Sequence, residues 1–61
     1  MNFKQMRKKA NLTQQAVADT LGVDRSTVSK WESGASVPKT SKLYKIAILY
    51  GCSVDDLMKG G

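Results

Sequence analysis

A chain of 61 residues holds one small core at most, since a chain of this length buries only about 60% of the surface that its unfolded form exposes; that excludes a second domain and most enzymes that need a large enclosed pocket. Ten Lys and Arg against five Asp and Glu, with no His, leave a net charge of +5, which favours an anionic partner, nucleic acid ahead of a membrane surface. The single Cys52 excludes an internal disulfide, a zinc-binding set of Cys and His is missing from the sequence, and a reduced, cytoplasmic setting is the expectation.

Gly22, Gly34, Pro38, Gly51 and the Gly60-Gly61 end punctuate the chain. Between them apolar residues recur at helical spacing and strand-like alternation is nowhere sustained, so the expected fold is all-α with five short helices. The first covers about 2–10, with Asn2 as N-cap, Gln5 three residues on, and Phe3, Met6, Arg7 and Ala10 inward. The second covers about 13–21, capped by Thr13, with Val17, Ala18 and Leu21 inward. The third covers about 24–33, capped by Asp24, with Val28, Trp31 and Glu32 inward and Gly34 where a left-handed backbone is wanted. The fourth covers about 40–50, with Leu43, Ile46, Ala47 and Tyr50 inward and Gly51 as its stop. The fifth covers about 53–59, capped by Ser53 with Asp56 at the third turn position, and turns Val54 and Leu57 inward.

The charge is uneven. Residues 1–45 hold nine basic and three acidic side chains, whereas residues 46–61 hold one basic and two acidic, so the attraction for an anion sits in the first four helices. The longest apolar run, Ile46-Ala47-Ile48-Leu49-Tyr50, falls far short of the ~20 residues that cross a bilayer. No hydrophobic segment follows the basic N-terminal region, so a signal peptide is not expected. The basic cluster Lys4, Arg7, Lys8 and Lys9 reads as a solvated helix end ahead of a membrane-surface or nuclear-targeting patch, with Lys4, Lys8 and Lys9 adding long-range attraction to DNA.

Residues 14–33 have the make-up of two helices packed across a tight turn. Ala18 supplies the small residue where the second helix crosses the first, and Gly22 tolerates the positive φ the turn needs. Val17, Leu21, Val23, Val28 and Trp31 fill the angle between the helices, and Asp24 restarts the chain as a helix. Together with Arg7, Thr13-Gln14, Leu21-Gly22-Val23, the run from Val28 to Gly34, Pro38, Leu43, Ile46-Ala47 and Gly51 to Leu57, this register resembles the helix-turn-helix domain of the lambdoid phage repressor and Cro family, also called Xre-type. The likeness runs from Met6 to about Gly60.

The resemblance implies a compact five-helix, lambda-repressor-like domain that binds double-stranded DNA sequence-specifically as a transcriptional regulator, a repressor on a pseudo-palindromic operator. Its third helix would enter the major groove, N-terminal end first. Carried over by position, Arg25, Ser26, Ser29 and Lys30 are the base-contact residues, Arg25 being able to fork onto guanine. Gln14 would bind a DNA phosphate, with Thr13, Thr27, Ser33, Lys39 and Thr40 adding contacts that position the protein without reading sequence. Arg7 and Glu32 would form a partly buried ion pair linking helices 1 and 3. Ile48, Cys52, Val54, Asp56 and Met58 match the region through which phage repressor domains dimerise. A homodimer on the operator is therefore implied, with Asp56 opposing tight association of the free domain. No cofactor, metal, membrane or small-molecule ligand is expected.

Two other classes compete. A protein–protein module that kept this fold would carry apolar residues on the outer face of the third helix, where this chain has polar and basic ones. An enzyme would need a nucleophile–base pair, a metal cluster or a glycine-rich phosphate loop, and the sequence offers none of these.

Overall fold

The computed structural model describes residues 1–59; the Gly60-Gly61 stop lies outside the described residues. Among these the elements are α1 (Phe3–Lys9), α2 (Gln14–Leu21), α3 (Arg25–Ser33), α4 (Thr40–Tyr50) and α5 (Val54–Met58), with no strand. One buried cluster joins all five: Phe3, Val17, Ala18, Leu21, Val28, Trp31, Ile46, Ala47, Tyr50 and Leu57. Each helix is too short to be stable alone and depends on this shared apolar face. Trp31 is 6% exposed, so its ring is core and not a surface platform for bases.

The helix ends show which local signals decide. Thr13 accepts a hydrogen bond from the Ala16 amide at 3.0 Å. Ser53 and Asp56 form a reciprocal capping box, the Ser53 amide donating to Asp56 Oδ2 at 3.2 Å and the Asp56 amide to Ser53 Oγ at 3.0 Å. Gly22 ends α2 at φ +69°, the left-handed conformation that lets the chain reverse into α3.

Two expected caps do not form. Asn2 holds the N-cap position of α1 without a side-chain cap bond; it is drawn instead to the far end of the chain, its amide donating to the Leu57 carbonyl at 2.8 Å and its Nδ2 to the Asp56 carbonyl at 3.5 Å. Asp24 has the extended backbone of an N-cap, yet its carboxylate makes no cap bond. Its carbonyl accepts from the Thr27 amide at 3.0 Å, and the exposed carboxylate keeps only a charge suited to the positive end of a helix.

α2 packs most closely on α3, α1 braces α3 and α4, and α4 lies on α2 and α5. The α2–α3 pair is thus held from behind by the remaining helices, within a body of 24 × 23 × 20 Å. Lys42 of α4 adds a polar tie, its Nζ donating to the Leu21 carbonyl at 2.9 Å. That places a cation on the last turn of α2, where unpaired carbonyls favour one.

Candidate nucleic-acid interface

α3 presents two faces. Val28 and Trp31 are buried and Glu32 is half-buried, whereas Arg25, Ser26, Ser29, Lys30 and Ser33 are exposed. The nine residues of α3 span roughly 14 Å, and a helix of that bulk fits a major groove ~12 Å wide. Arg25 leads the helix, one residue inside the Asp24 cap. No side-chain hydrogen bond within the protein engages Arg25, Ser26, Ser29 or Lys30 among the described residues, so their donors are open to a ligand.

The six residues expected at phosphates differ in what their donors have left. Thr13 uses its oxygen as acceptor from Ala16 and keeps its hydroxyl hydrogen. Lys39 and Thr40 are exposed, and Thr27 is half-buried. Ser33 donates its one hydroxyl hydrogen to the Lys30 carbonyl at 3.1 Å and accepts from the Ala35 amide at 3.4 Å; it closes the end of α3, and a phosphate would have to displace that bond. Gln14 is half-buried and donates from Nε2 to Glu32 Oε1 at 2.9 Å. A carboxamide nitrogen carries two hydrogens, so one remains.

Beneath this surface Arg7 and Glu32 meet as a two-point contact: Arg7 Nε to Glu32 Oε2 at 2.5 Å, and Nη2 to Oε1 at 3.2 Å. Their side chains are only 10% and 5% exposed. Arg7 Nη1 also donates to the Leu12 carbonyl at 2.8 Å, so the guanidinium ties α1, the α1–α2 loop and α3 together. The hydrogen bond to Glu32 raises the Arg7 pKa above its ordinary value against the opposing effect of burial. Burial pushes the Glu32 carboxyl up, but the hydrogen bonds from Arg7 and Gln14 outweigh it and hold the group below the usual carboxylate range. Burial also pushes the neighbouring Tyr50 phenol up to about 12.

The residues expected at a dimer surface occupy different settings. Ile48 is 82% exposed and lines a shallow apolar groove between α2 and α4 with Thr20, Leu21, Lys45 and Leu49. Met58 on α5 is exposed, Val54 and Cys52 pack against the core, and Asp56 caps its own helix. The acid at position 56 therefore has a local structural role. Partial burial raises the Cys52 thiol pKa, with Asp56 adding to the effect, which leaves a small half-buried hydrophobe and not an activated thiolate.

Three features escaped the sequence. The Lys42–Leu21 and Gln14–Glu32 bonds join residues 21 and 18 positions apart, beyond the reach of any local pattern. Asn11, by contrast, ends the α1 turn at φ +59°, and Asn is the non-glycine residue that most readily takes that conformation, so its identity was the available signal. No group of His, Cys, Asp and Glu suited to a metal ion occurs among the described residues, and none of the described helices is long and apolar enough to cross a membrane.

Comparison with known proteins adds the following. A family model described as helix-turn-helix matches residues 3–57. The HTH-type transcriptional activator BcrR of Enterococcus faecalis is 39% identical over 58 residues, which cover 95% of this chain and 28% of that protein. The phage CTXphi transcriptional repressor RstR of Vibrio cholerae is 39% identical over 51 residues, covering 84% and 46%. An uncharacterised HTH-type transcriptional regulator of Archaeoglobus fulgidus is 35% identical over 55 residues, covering 90% and 78%. Against several of these relatives the chain spans about half their length or less. No solved structure matches it at a significant level.

Proposed function

The chain belongs to the helix-turn-helix family of DNA-binding transcription regulators, and from that premise we propose that it reads a specific operator with α3 in the major groove and represses by occupying the site. The observation that carries this reading is the split of α3: Val28 and Trp31 are sealed in the core while Arg25, Ser26, Ser29 and Lys30 stand exposed with free donors. Arg25, from the leading end, forks onto guanine O6 and N7; Ser26, Ser29 and Lys30 read neighbouring base edges. Thr13, Gln14, Thr27, Lys39 and Thr40 hold phosphates, and Ser33 joins them where its bond to Lys30 gives way. The relatives include an activator and a repressor by name, so repression by steric exclusion is part of the proposal. The protein acts in the cytoplasm, without catalysis of its own.

Two copies occupy the operator. They sit side by side with their recognition helices one DNA turn apart, ~34 Å centre to centre, a spacing larger than the 24 Å width of one body. Selection from random oligonucleotides followed by sequencing tests this reading. A palindromic consensus with half-sites one turn apart is expected. Recovery of no consensus, from a protein that also fails to shift any duplex, overturns it.

A further inference from the structure

The side-chain amide of Gln14 is held by one acceptor. Its Nε2 donates to Glu32 Oε1 at 2.9 Å, and that oxygen also accepts from Arg7 Nη2 at 3.2 Å while Glu32 Oε2 takes Arg7 Nε. The carboxylate itself is held from two directions, and its side chain is 5% exposed, so it has one orientation to offer. Gln14 is the first residue of α2 and Glu32 lies in the last turn of α3. Among the described residues the bond to Glu32 is the one hydrogen bond that Gln14 Nε2 makes, so its second hydrogen is uncommitted within the protein.

Resting on the DNA-binding reading above, we propose that Glu32 is a positioning residue for DNA binding: it fixes one N–H of Gln14 so that the other is presented, pre-oriented, to a backbone phosphate. A free glutamine samples many rotamers and loses that freedom on binding. Here the loss is already taken in the folded state, and the acceptor that takes it belongs to the recognition helix. Phosphate capture at the start of α2 and the presentation of α3 therefore share one carboxylate. The contact is sequence-blind and comes from a neutral donor, so it strengthens binding to every duplex alike and releases no counterion.

The test is a double-mutant cycle read by fluorescence anisotropy on the selected operator and on an unrelated duplex, over a range of salt. Gln14→Ala is expected to weaken both complexes by about tenfold or more with the salt slope unchanged. In the Glu32→Leu background, which removes the acceptor, the same change is expected to cost less than about twofold. Glu32→Leu alone strands the Arg7 charge and can lose the fold, so the cycle is repeated on Arg7→Met with Glu32→Leu, an apolar pair that removes the acceptor and keeps packing. An undiminished Gln14→Ala effect in a folded background overturns the proposal. On the wild-type protein, nuclear magnetic resonance of the Gln14 side-chain amide gives an independent readout: one of the two hydrogens moves as duplex is added, whereas joint movement of both, or of neither, overturns it. A wild-type protein that binds no duplex refutes the functional reading itself, and with it this inference.

Discussion

The Arg7–Glu32 pair offers the sharpest test of how this small fold is held. Arg7→Ala leaves Glu32 buried with Gln14 as its one remaining donor, and Glu32→Ala leaves Arg7 with the Leu12 carbonyl as its one acceptor. Each single change strands a charge whose side chain is 10% exposed or less, a situation that costs about 3 kcal/mol or more. A domain of 61 residues has roughly 3–9 kcal/mol of stability in total, so either variant loses between a third and all of it, or about 12–24 °C of melting temperature at ~3 kcal/mol. Removing both partners strands nothing, and the double alanine variant is expected to lose ~2 kcal/mol less than the sum of the singles. Replacing the pair by Arg7→Met and Glu32→Leu is expected to be close to neutral, because the desolvation of two ions offsets most of their attraction. Urea unfolding followed through the buried Trp31, the one tryptophan of the chain, measures all four. Additive singles, or an apolar pair that unfolds the protein, would refute the reasoning that the contact holds these helices through its mutual pairing.

Other outcomes follow from the same geometry. Arg25→Ala is expected to cost ~1–3 kcal/mol on the operator and relax preference at one position of each half-site, in competition assays on single-base variants; equal weakening on every variant would make Arg25 a backbone contact. Arg25 and Lys30 in the groove and Lys39 at a phosphate bring about six cations per dimer into the counterion atmosphere of the duplex, so log K against log salt is expected to slope by about −5, and a salt-independent affinity contradicts that count. Gly22→Ala meets no atom within 4 Å, and its cost, about 1–2 kcal/mol in thermal melts, comes from the positive φ alone. Glu32 and Asp56 both titrate below the ordinary carboxylate range in the folded protein. Folding therefore draws full support from them above the unfolded carboxylate pKa and loses it as pH falls through their folded values; melts from neutral to acid are expected to show a fall that shrinks in Glu32→Leu/Arg7→Met.

The parts of the fold legible in the sequence are those whose cause is local. Thr13 and Ser53 cap the helices that follow them because a hydroxyl reaches an amide three residues on. Gly22, Gly34 and Gly51 end helices because their backbones turn left-handed, and helical spacing picked out the core from Phe3 to Leu57. Asn2 and Asp24 fit the same local rule and depart from it. The partner that wins Asn2 is the Leu57 carbonyl, which has no signature near residue 2. For the candidate site, the exposed face of α3 was readable from periodicity. The polar wiring behind it was legible only where the resemblance supplied it, as for Arg7 and Glu32; the Gln14–Glu32 bond depends on how two helices sit in space.

The tie between the Asn2 amide and the Leu57 carbonyl also governs the order in which this protein can come into being. A nascent chain that has emerged only through Ser33 already contains both helices of the helix-turn-helix. It still lacks Ile46, Ala47, Tyr50 and Leu57, the residues that complete the cluster around Val17 and Val28, and it lacks the acceptor for its own second residue. Domains of this size fold as units, so the motif gains its shape only once α5 has been made. A chain cut short midway carries the sequence of the helix-turn-helix without its shape.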